Sequence, residues 1–334
     1  MASRDDVARL AGVSGATVSY VLNNKAGVKI SEPTREAVLA AAAKLNYRPS
    51  LAARSLVTGT YDQIGVLMPA GDLLAHAYQT KVFNGAWLAA QQHGIRLVID
   101  SLREGGSVSF VEQRFVDGLI LPAVGRAQVN DDLQYALSNM NVPVVVTGTH
   151  AMSDLFHCID IDNQRLGTEA AQRLWDLGHR SFMAFGGIPS EPPVAERRQG
   201  FAERIAKLSG GTVSVVEIDS IYEGMQPGVI ADEAIAAHPE VTAVFCFNDV
   251  LARLVIEAAA NHGRRVPRDL SVFGVDAVEG PRDLKRISSF AQPLELMGRW
   301  AVDQILSGDT APKQETRPFT WRPGDTHGPP PAAG

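Results

Sequence analysis

Asp6-Val-Ala-Arg-Leu-Ala-Gly-Val-Ser-Gly-Ala-Thr-Val-Ser-Tyr-Val-Leu-Asn23 reads as two short helices joined by a tight turn. Val7, Ala8, Leu10 and Ala11 supply one apolar helical face, and Val18, Val21 and Leu22 recur at the same spacing. Gly12-Val13-Ser14 interrupts them: a glycine suits a helix C-terminus and a serine the next N-cap. This is the sequence form of a helix-turn-helix, whose second helix can lie in a DNA major groove. Gly15, Ala16, Thr17, Ser19 and Tyr20 put short, adaptable residues near the start of that helix. Two helices of an ordinary bundle share the generic pattern, so the flanking sequence has to decide.

Downstream, Ser31 is placed to cap a third helix over 32–45, with Val38, Leu39, Ala42 and Leu45 facing inward. Pro49 ends it, and Ser50 opens a further helix over about 50–57 that is too short to stand alone in water. Such a segment suggests folding coupled to binding. The charge distribution agrees. The whole chain carries −6, but residues 1–60 hold eight Lys/Arg against four acids, a surplus of +4. A basic end on an acidic body suggests nucleic acid at one end and a different partner at the other.

Beyond Thr60 the pattern changes to apolar strands alternating with amphipathic helices. Ile64–Met68, Arg96–Asp100, Gly118–Pro122, Val142–Thr147, Phe182–Gly187, Thr212–Val216, Ala243–Phe247 and Ser271–Gly274 read as strands. Such runs mean parallel sheets covered on both faces. The βα units are about twice what one small open sheet needs, which implies two α/β lobes. The sixteen residues 101–116 leave room for only a short helix. No run of about 18 apolar residues marks a membrane span, and the N-terminus has no secretory pattern. Two distant cysteines, Cys158 and Cys246, point to a reduced cytoplasm. Residues 323–334 are rich in Pro and Gly and read as a disordered tail. The C-terminus shows no heptad run, which argues against a tetramerising coiled coil. Catalytic and metal motifs are absent, and the eight histidines are scattered. No cofactor, metal or catalytic residue is therefore expected.

The phrases DVARLAGVSGATVSYVLN, TREAVLAAAAKLNYRPSLAARSL, FND and GVD make the chain resemble the lactose-repressor/galactose-repressor (LacI/GalR) family of bacterial transcription regulators, over about residues 3–321. The resemblance implies an all-α helix-turn-helix headpiece (1–60) followed by a periplasmic-binding-protein-like α/β domain of two doubly wound lobes (61–322). Lobe 1 would take about 62–160 plus 292–322, and lobe 2 about 161–291, with three crossings between them. It implies a repressor that is a cytoplasmic homodimer on a near-palindromic double-stranded operator, controlled by a small molecule, in most relatives a carbohydrate. On the DNA side it puts Gly15, Ala16 and Tyr20 at base-reading positions and Thr17, Ser19, Asn23 and Thr34 at phosphates. Packing on the third helix is the alternative for Tyr20. Arg35 is left between a backbone contact and a solvated helix residue. Leu56 falls at a minor-groove wedge, with Ala53 beside it; a core leucine of the linker is the alternative.

For the effector, Arg197 matches the family's ligand arginine, and the neighbouring Arg198 is expected in solvent. Asp162, Asn248 and Asp276 follow strand ends, where open α/β sheets bind ligands; capping of the next helix competes for Asn248 and Asp249. Tyr78, Tyr222 and Phe290 are candidates for stacking on a ligand and equally for the core. A binding protein without DNA activity, or a sugar-directed α/β enzyme, would explain residues 62–322 but leave the basic headpiece idle.

Overall fold

Contacts divide the chain into two units, residues 1–61 and 62–334. The computed structural model describes residues 2–22, 27–48, 55, 59–68, 77–101, 115–123, 131–187, 191–219, 226–278 and 285–332. In the first unit, α1 (Arg4–Ala11), α2 (Gly15–Leu22) and α3 (Glu32–Lys44) surround a small core. A capping box opens α1: Ser3 Oγ accepts from the Asp6 amide, and the Asp6 carboxylate accepts from the Ser3 amide. Gly12 closes it at φ 65°, a conformation glycine takes without steric cost. Ser14 Oγ then accepts from Thr17 N–H and starts α2. Val7, Ala8, Val18, Val21, Val38, Ala41 and Ala42 form the core. Leu10 and Leu39, expected inside, are 46% and 49% exposed. In α3 the inward stripe is Val38, Ala41, Ala42 and Leu45, at i, i+3, i+4 and i+7, and Leu39 lies off it. Ser31 makes no side-chain cap; its hydroxyl bonds Thr34 Oγ1 at 2.8 Å instead.

The second unit runs β1 (Gln63–Met68), α4 (Ala77–Gln92), β2 (Arg96–Ser101), β3 (Gly118–Pro122), α5 (Asp131–Ser138), β4 (Val144–Thr147) and β5 (His157–Ile161). It continues through α6 (Asn163–Asp176), β6 (Phe182–Phe185), α7 (Pro192–Ser209), β7 (Val215–Ile218), α8 (Pro227–Ala237), β8 (Ala243–Cys246), α9 (Asp249–Asn261) and β9 (Ser271–Val275). It ends with β10 (Ser288–Ala291), α10 (Leu294–Leu306), β11 (Gln314–Arg317) and β12 (Thr320–Arg322). The first sheet has the order β11-β5-β4-β3-β1-β2 and is parallel throughout. The second has the order β12-β10-β9-β8-β6-β7, with one antiparallel pair, β10–β12. The chain crosses between lobes after β5, after β10 and between β11 and β12. So the last strand belongs to the second lobe, although 292–322 was expected to return entirely to the first. An aromatic cluster draws it there: Trp321 packs on Phe273 and Phe290, with ring centroids 4.6 and 4.8 Å away.

The C-terminal segment is also ordered, against the expectation from its composition. Thr326 is fully buried; its hydroxyl accepts from Ser288 N–H and donates to Val272 O. Gly328 bonds Ser271 and His179. Backbone groups at this end of the second sheet need partners, and the tail supplies them. The short-helix expectation for 107–115 and the helix over 50–57 fall almost wholly outside the described residues.

Glycines set how the helices meet. A Cβ on Gly167 in α6 would lie 2.0 Å from Arg197 O, and one on Gly200 in α7 2.0 Å from Gln164 O. The same reciprocal contact joins α4 and α10 through Gly85 and Gly298. The first crossing seats Arg197, in the second turn of α7, at the rim of the space between the lobes.

Candidate functional site

Strands β3, β4 and β5 of the first sheet and β6, β8 and β9 of the second point their carboxyl ends at one cavity of about 320 Å³. Ala123, Thr149 and Asp160 line it from the first lobe, as do Tyr78 and Gln79 on α4. Glu191, Arg197, Phe247, Asn248 and Asp276 line it from the second, and Gln292 at the crossing after β10. A cleft beyond the strand ends is the expected ligand position for this topology.

Arg197 is 8% exposed. Its Nε donates to Asn163 Oδ1 at 2.8 Å and its Nη1 to Phe247 O at 2.7 Å. The guanidinium is thereby fixed at the cavity wall. Asp276 follows β9 with φ 96°, and one carboxylate oxygen accepts from Gln292 Nε2 at 2.7 Å. Burial pushes its carboxyl up from the ordinary range, partly opposed by Arg197. Asn248 Oδ1 caps α9 through Leu251 N–H at 2.8 Å, and the residue also lines the cavity. Asp249 is structural. It accepts from Ser289 Oγ and from Val278 N–H, both at 2.7 Å, and so ties down the segment that follows Asp276. Burial raises the Asp249 carboxyl to about 7.

Tyr78 lines the cavity, its hydroxyl donating to Thr147 Oγ1 at 3.3 Å; burial pushes its phenol well above the ordinary value. Three expectations need correction. Asp162 is exposed and caps α6 through Arg165 N–H at 2.8 Å; it does not line the cavity. Asp160 does so from inside β5, where burial raises its carboxyl to about 6. The demand of a helix N-terminus for an acceptor has claimed the later aspartate. Phe290 is fully buried among Phe245, Phe273, Phe319 and Trp321, because its position in mid-strand places it between sheet and helices. Arg198, expected in solvent, has a side chain 16% exposed and pairs with Asp219 and Glu217. Tyr222 lies outside the described residues.

Gln79, Glu191, Gln292 and Asp160 were missed in the sequence. Buried Oε1 atoms of Gln79 and Gln292 have no hydrogen-bond partner among the described residues, so each is an acceptor awaiting a donor. The strand-end rule that selected Asp276 could have found Gln292, one residue past β10. A charge inside the apolar run His157–Ile161 could have found Asp160.

In the first unit, Gly15, Ala16, Thr17, Ser19 and Tyr20 all lie on α2, with Ala16 exposed and the others partly so. Thr17 Oγ1 sits 2.9 Å from Ser14 Oγ, at the start of the helix. Thr34 lies in the first turn of α3. Arg35 lies 4.0 Å from Glu32 across one turn. Asn23, Ala53 and Leu56 lie outside the described residues.

Residues 5–50 match the family described as bacterial regulatory proteins, lacI family, and residues 171–326 match a periplasmic binding protein-like domain. The ribose operon repressor of Haemophilus influenzae is 31% identical over 335 residues, covering 97% of this chain and 96% of that protein. The transcriptional regulator CelR of Thermobifida fusca is 32% identical over 322 residues, covering 92% of each. A CelR–cellobiose complex superposes with TM-score 0.68 at 27% identity, over 98% of this chain and 100% of that one. The lac repressor dimer bound to operator and the anti-inducer ONPF superposes with TM-score 0.82, over 97% of this chain and 98% of that one. At 24% identity that match speaks for the fold. With a helix-turn-helix at one end, a cleft between two α/β lobes and relatives alike over nearly their whole length, the chain belongs to the lacI family of bacterial regulatory proteins.

Proposed function

We propose that this chain is a transcriptional repressor whose operator affinity is set by a small molecule in the interlobe cleft. The observation that carries this reading is the cleft itself. A fixed guanidinium, two buried aspartates and two amide oxygens without a partner among the described residues converge on one cavity, in a chain whose first 60 residues carry a positive surplus and hold a helix-turn-helix. Directional acceptors and one forked donor suit a polyhydroxylated ligand, a carbohydrate or a derivative of one. The printed identities of two relatives, a ribose operon repressor and a cellobiose-bound regulator, favour the same class.

The protein acts as a cytoplasmic homodimer on two half-sites of a near-palindromic operator; the operator-bound lac repressor dimer of the same fold supports this assembly. It is a switch and catalyses no reaction. No described helix is long and apolar enough to cross a membrane. Ligand binding rearranges the lobes, which already touch where Lys81 Nζ on α4 lies 3.4 Å from Ala277 O. Effector and operator then influence one another reciprocally.

A gel-shift with the DNA upstream of the protein's own gene tests the reading, with and without ligands found in a thermal-shift screen of sugars, sugar phosphates and nucleosides. Intact protein should bind and residues 62–334 should not. A ligand that stabilises the protein should change the shift. Absence of DNA binding under every ligand condition overturns the reading in favour of a plain binding protein, and turnover of the ligand favours an enzyme.

A further inference from the structure

The first two residues of the helix that should read bases carry no hydrogen-bonding side chain. Gly15 opens α2, and Ala16 after it offers only a methyl group. The space beside Gly15 is nevertheless occupied. A Cβ at position 15 would lie 2.9 Å from Arg4 Nε, 3.3 Å from Arg4 Cζ and 3.2 Å from Asp5 Oδ1. We propose that Arg4, lying in the space that Gly15 leaves open, reads a guanine base in the major groove. This rests on the DNA-binding reading above.

Backbone placement is the first support. The Ser3–Asp6 capping box fixes the first turn of α1, and Arg4 is its first helical residue. The second support is that stability does not explain an arginine here. The positive ends of two helix dipoles, those of α1 and α2, lie beside its guanidinium, and cations are favoured at the opposite ends. Its carboxylate neighbour offsets this only in part. Arg4 Nε and Nη2 both reach Asp5 Oδ1 at 3.3 Å, with the two side chains 56% and 74% exposed. An ion pair so open to water contributes little.

The third support is chemical. N-terminal residues of the second helix face base edges in this motif. A guanidinium can donate to O6 and N7 of one guanine at once. Asp5 holds Nε and Nη2 through a single oxygen, so Nη1 and the second Nη2 proton remain for the base. The free Asp5 oxygen can accept from N4 of the paired cytosine. Lysine lacks the planar fork and could supply only a point charge.

Selection from a pool of random-sequence duplexes with intact protein, followed by anisotropy titrations at fixed salt, tests the proposal. The proteins compared are wild type, Arg4→Ala, Arg4→Lys, Gly15→Ala and the Arg4→Ala/Gly15→Ala double variant. The recovered half-site should contain a G·C pair whose replacement weakens wild-type binding by roughly 5- to 150-fold. Arg4→Ala should weaken binding to the recovered site by a similar factor and stop distinguishing that pair, and Arg4→Lys should also lose the discrimination. Gly15→Ala should weaken wild-type binding by displacing Arg4, but add nothing in the Arg4→Ala background. Its unfolding temperature should not fall, since alanine favours a helix more than glycine does. Unchanged binding by Arg4→Ala, or an equal loss on every sequence as for a phosphate contact, overturns the proposal alone. A pool that yields no enriched sequence overturns the DNA-binding reading and this proposal with it.

Discussion

Arg197 holds two lobe-2 segments together and also faces the cleft, and the two roles have separable signatures. Its bonds to Asn163 Oδ1 and Phe247 O tie α6 to the segment after β8. Arg197→Ala should therefore lower the unfolding temperature, because two buried acceptors lose their donor at about 1–3 kcal/mol each. Ligand affinity should fall by a further factor of roughly 10 to 100, from the loss of the guanidinium at the cavity wall. Calorimetric titration with the ligand from the screen separates the two effects; equal affinity in both proteins would remove Arg197 from the site. The buried carboxylates make a second prediction. Burial holds Asp249 at about 7, with Asp276 raising it and Ser289, Val278 N–H and Arg253 lowering it. Burial likewise holds Asp160 at about 6, with Glu196 raising it and Arg197, Ile161 N–H and Asn163 lowering it. An unfolded aspartate titrates near 3.9. Between about pH 4 and 7 the folded chain thus binds protons that the unfolded chain has released. The stability these groups contribute is complete below about pH 4 and is lost as pH rises through 6 to 7. Asp249→Asn should flatten the decline in unfolding temperature between about pH 4 and 7. An unchanged slope would mean that Asp249 is ionised throughout that range.

Among the elements, the crossing of α6 and α7 decides whether Arg197 is in place. A methyl group at position 200 would meet the Gln164 carbonyl, and one at 167 the carbonyl of Arg197 itself. Backbone cannot swing aside as a flexible side chain can. Gly200→Ala should destabilise the protein by about 1–3 kcal/mol or more and weaken ligand binding together with stability. A variant of wild-type melting temperature would show that the helices can separate freely. The C-terminal strap makes a comparable case. Thr326→Val keeps the volume but removes both bonds of its hydroxyl, to Ser288 N–H and Val272 O. A loss of about 1–3 kcal/mol is expected for burying those groups unpaired, read from denaturant unfolding. An unchanged midpoint would mean that water replaces the hydroxyl. Composition pointed to disorder here because Pro and Gly are common in loose segments. It carries no information about which sheet end has unpaired backbone for such a segment to satisfy.

At the scale of the whole molecule, the uneven charge gives the clearest expectation. Residues 1–60 hold eight cations against four acids while the remainder of the chain is acidic, a split that suits a polyanion at one end only. Operator affinity should fall on the order of 10³-fold between roughly 50 and 200 mM salt, as phosphate contacts release counterions. Anisotropy titrations across that range check it, and a flat dependence would contradict the DNA assignment. Ligand binding to residues 62–334 should vary far less with salt, because its charged groups are buried.

Local pattern by itself determined the helix-turn-helix, its glycine break, the alternation of strands with helices and the strand-end positions of Asn248 and Asp276. Those features depend on spacing and on residues near one another in sequence, which is what a period of 3.6 or a continuous apolar run records. Tertiary structure alone decided which of two aspartates two residues apart faces the cleft. Asp162 was taken by the N-terminus of α6, and Asp160 was left in the cleft. It also decided that Phe290 belongs to the core, that Gln79 and Gln292 share a cavity, that the last strand joins the second sheet and that Arg4 lies across Gly15. Each of these depends on partners brought together by folding, and spacing along the chain does not encode which buried polar group will find its acceptor already used.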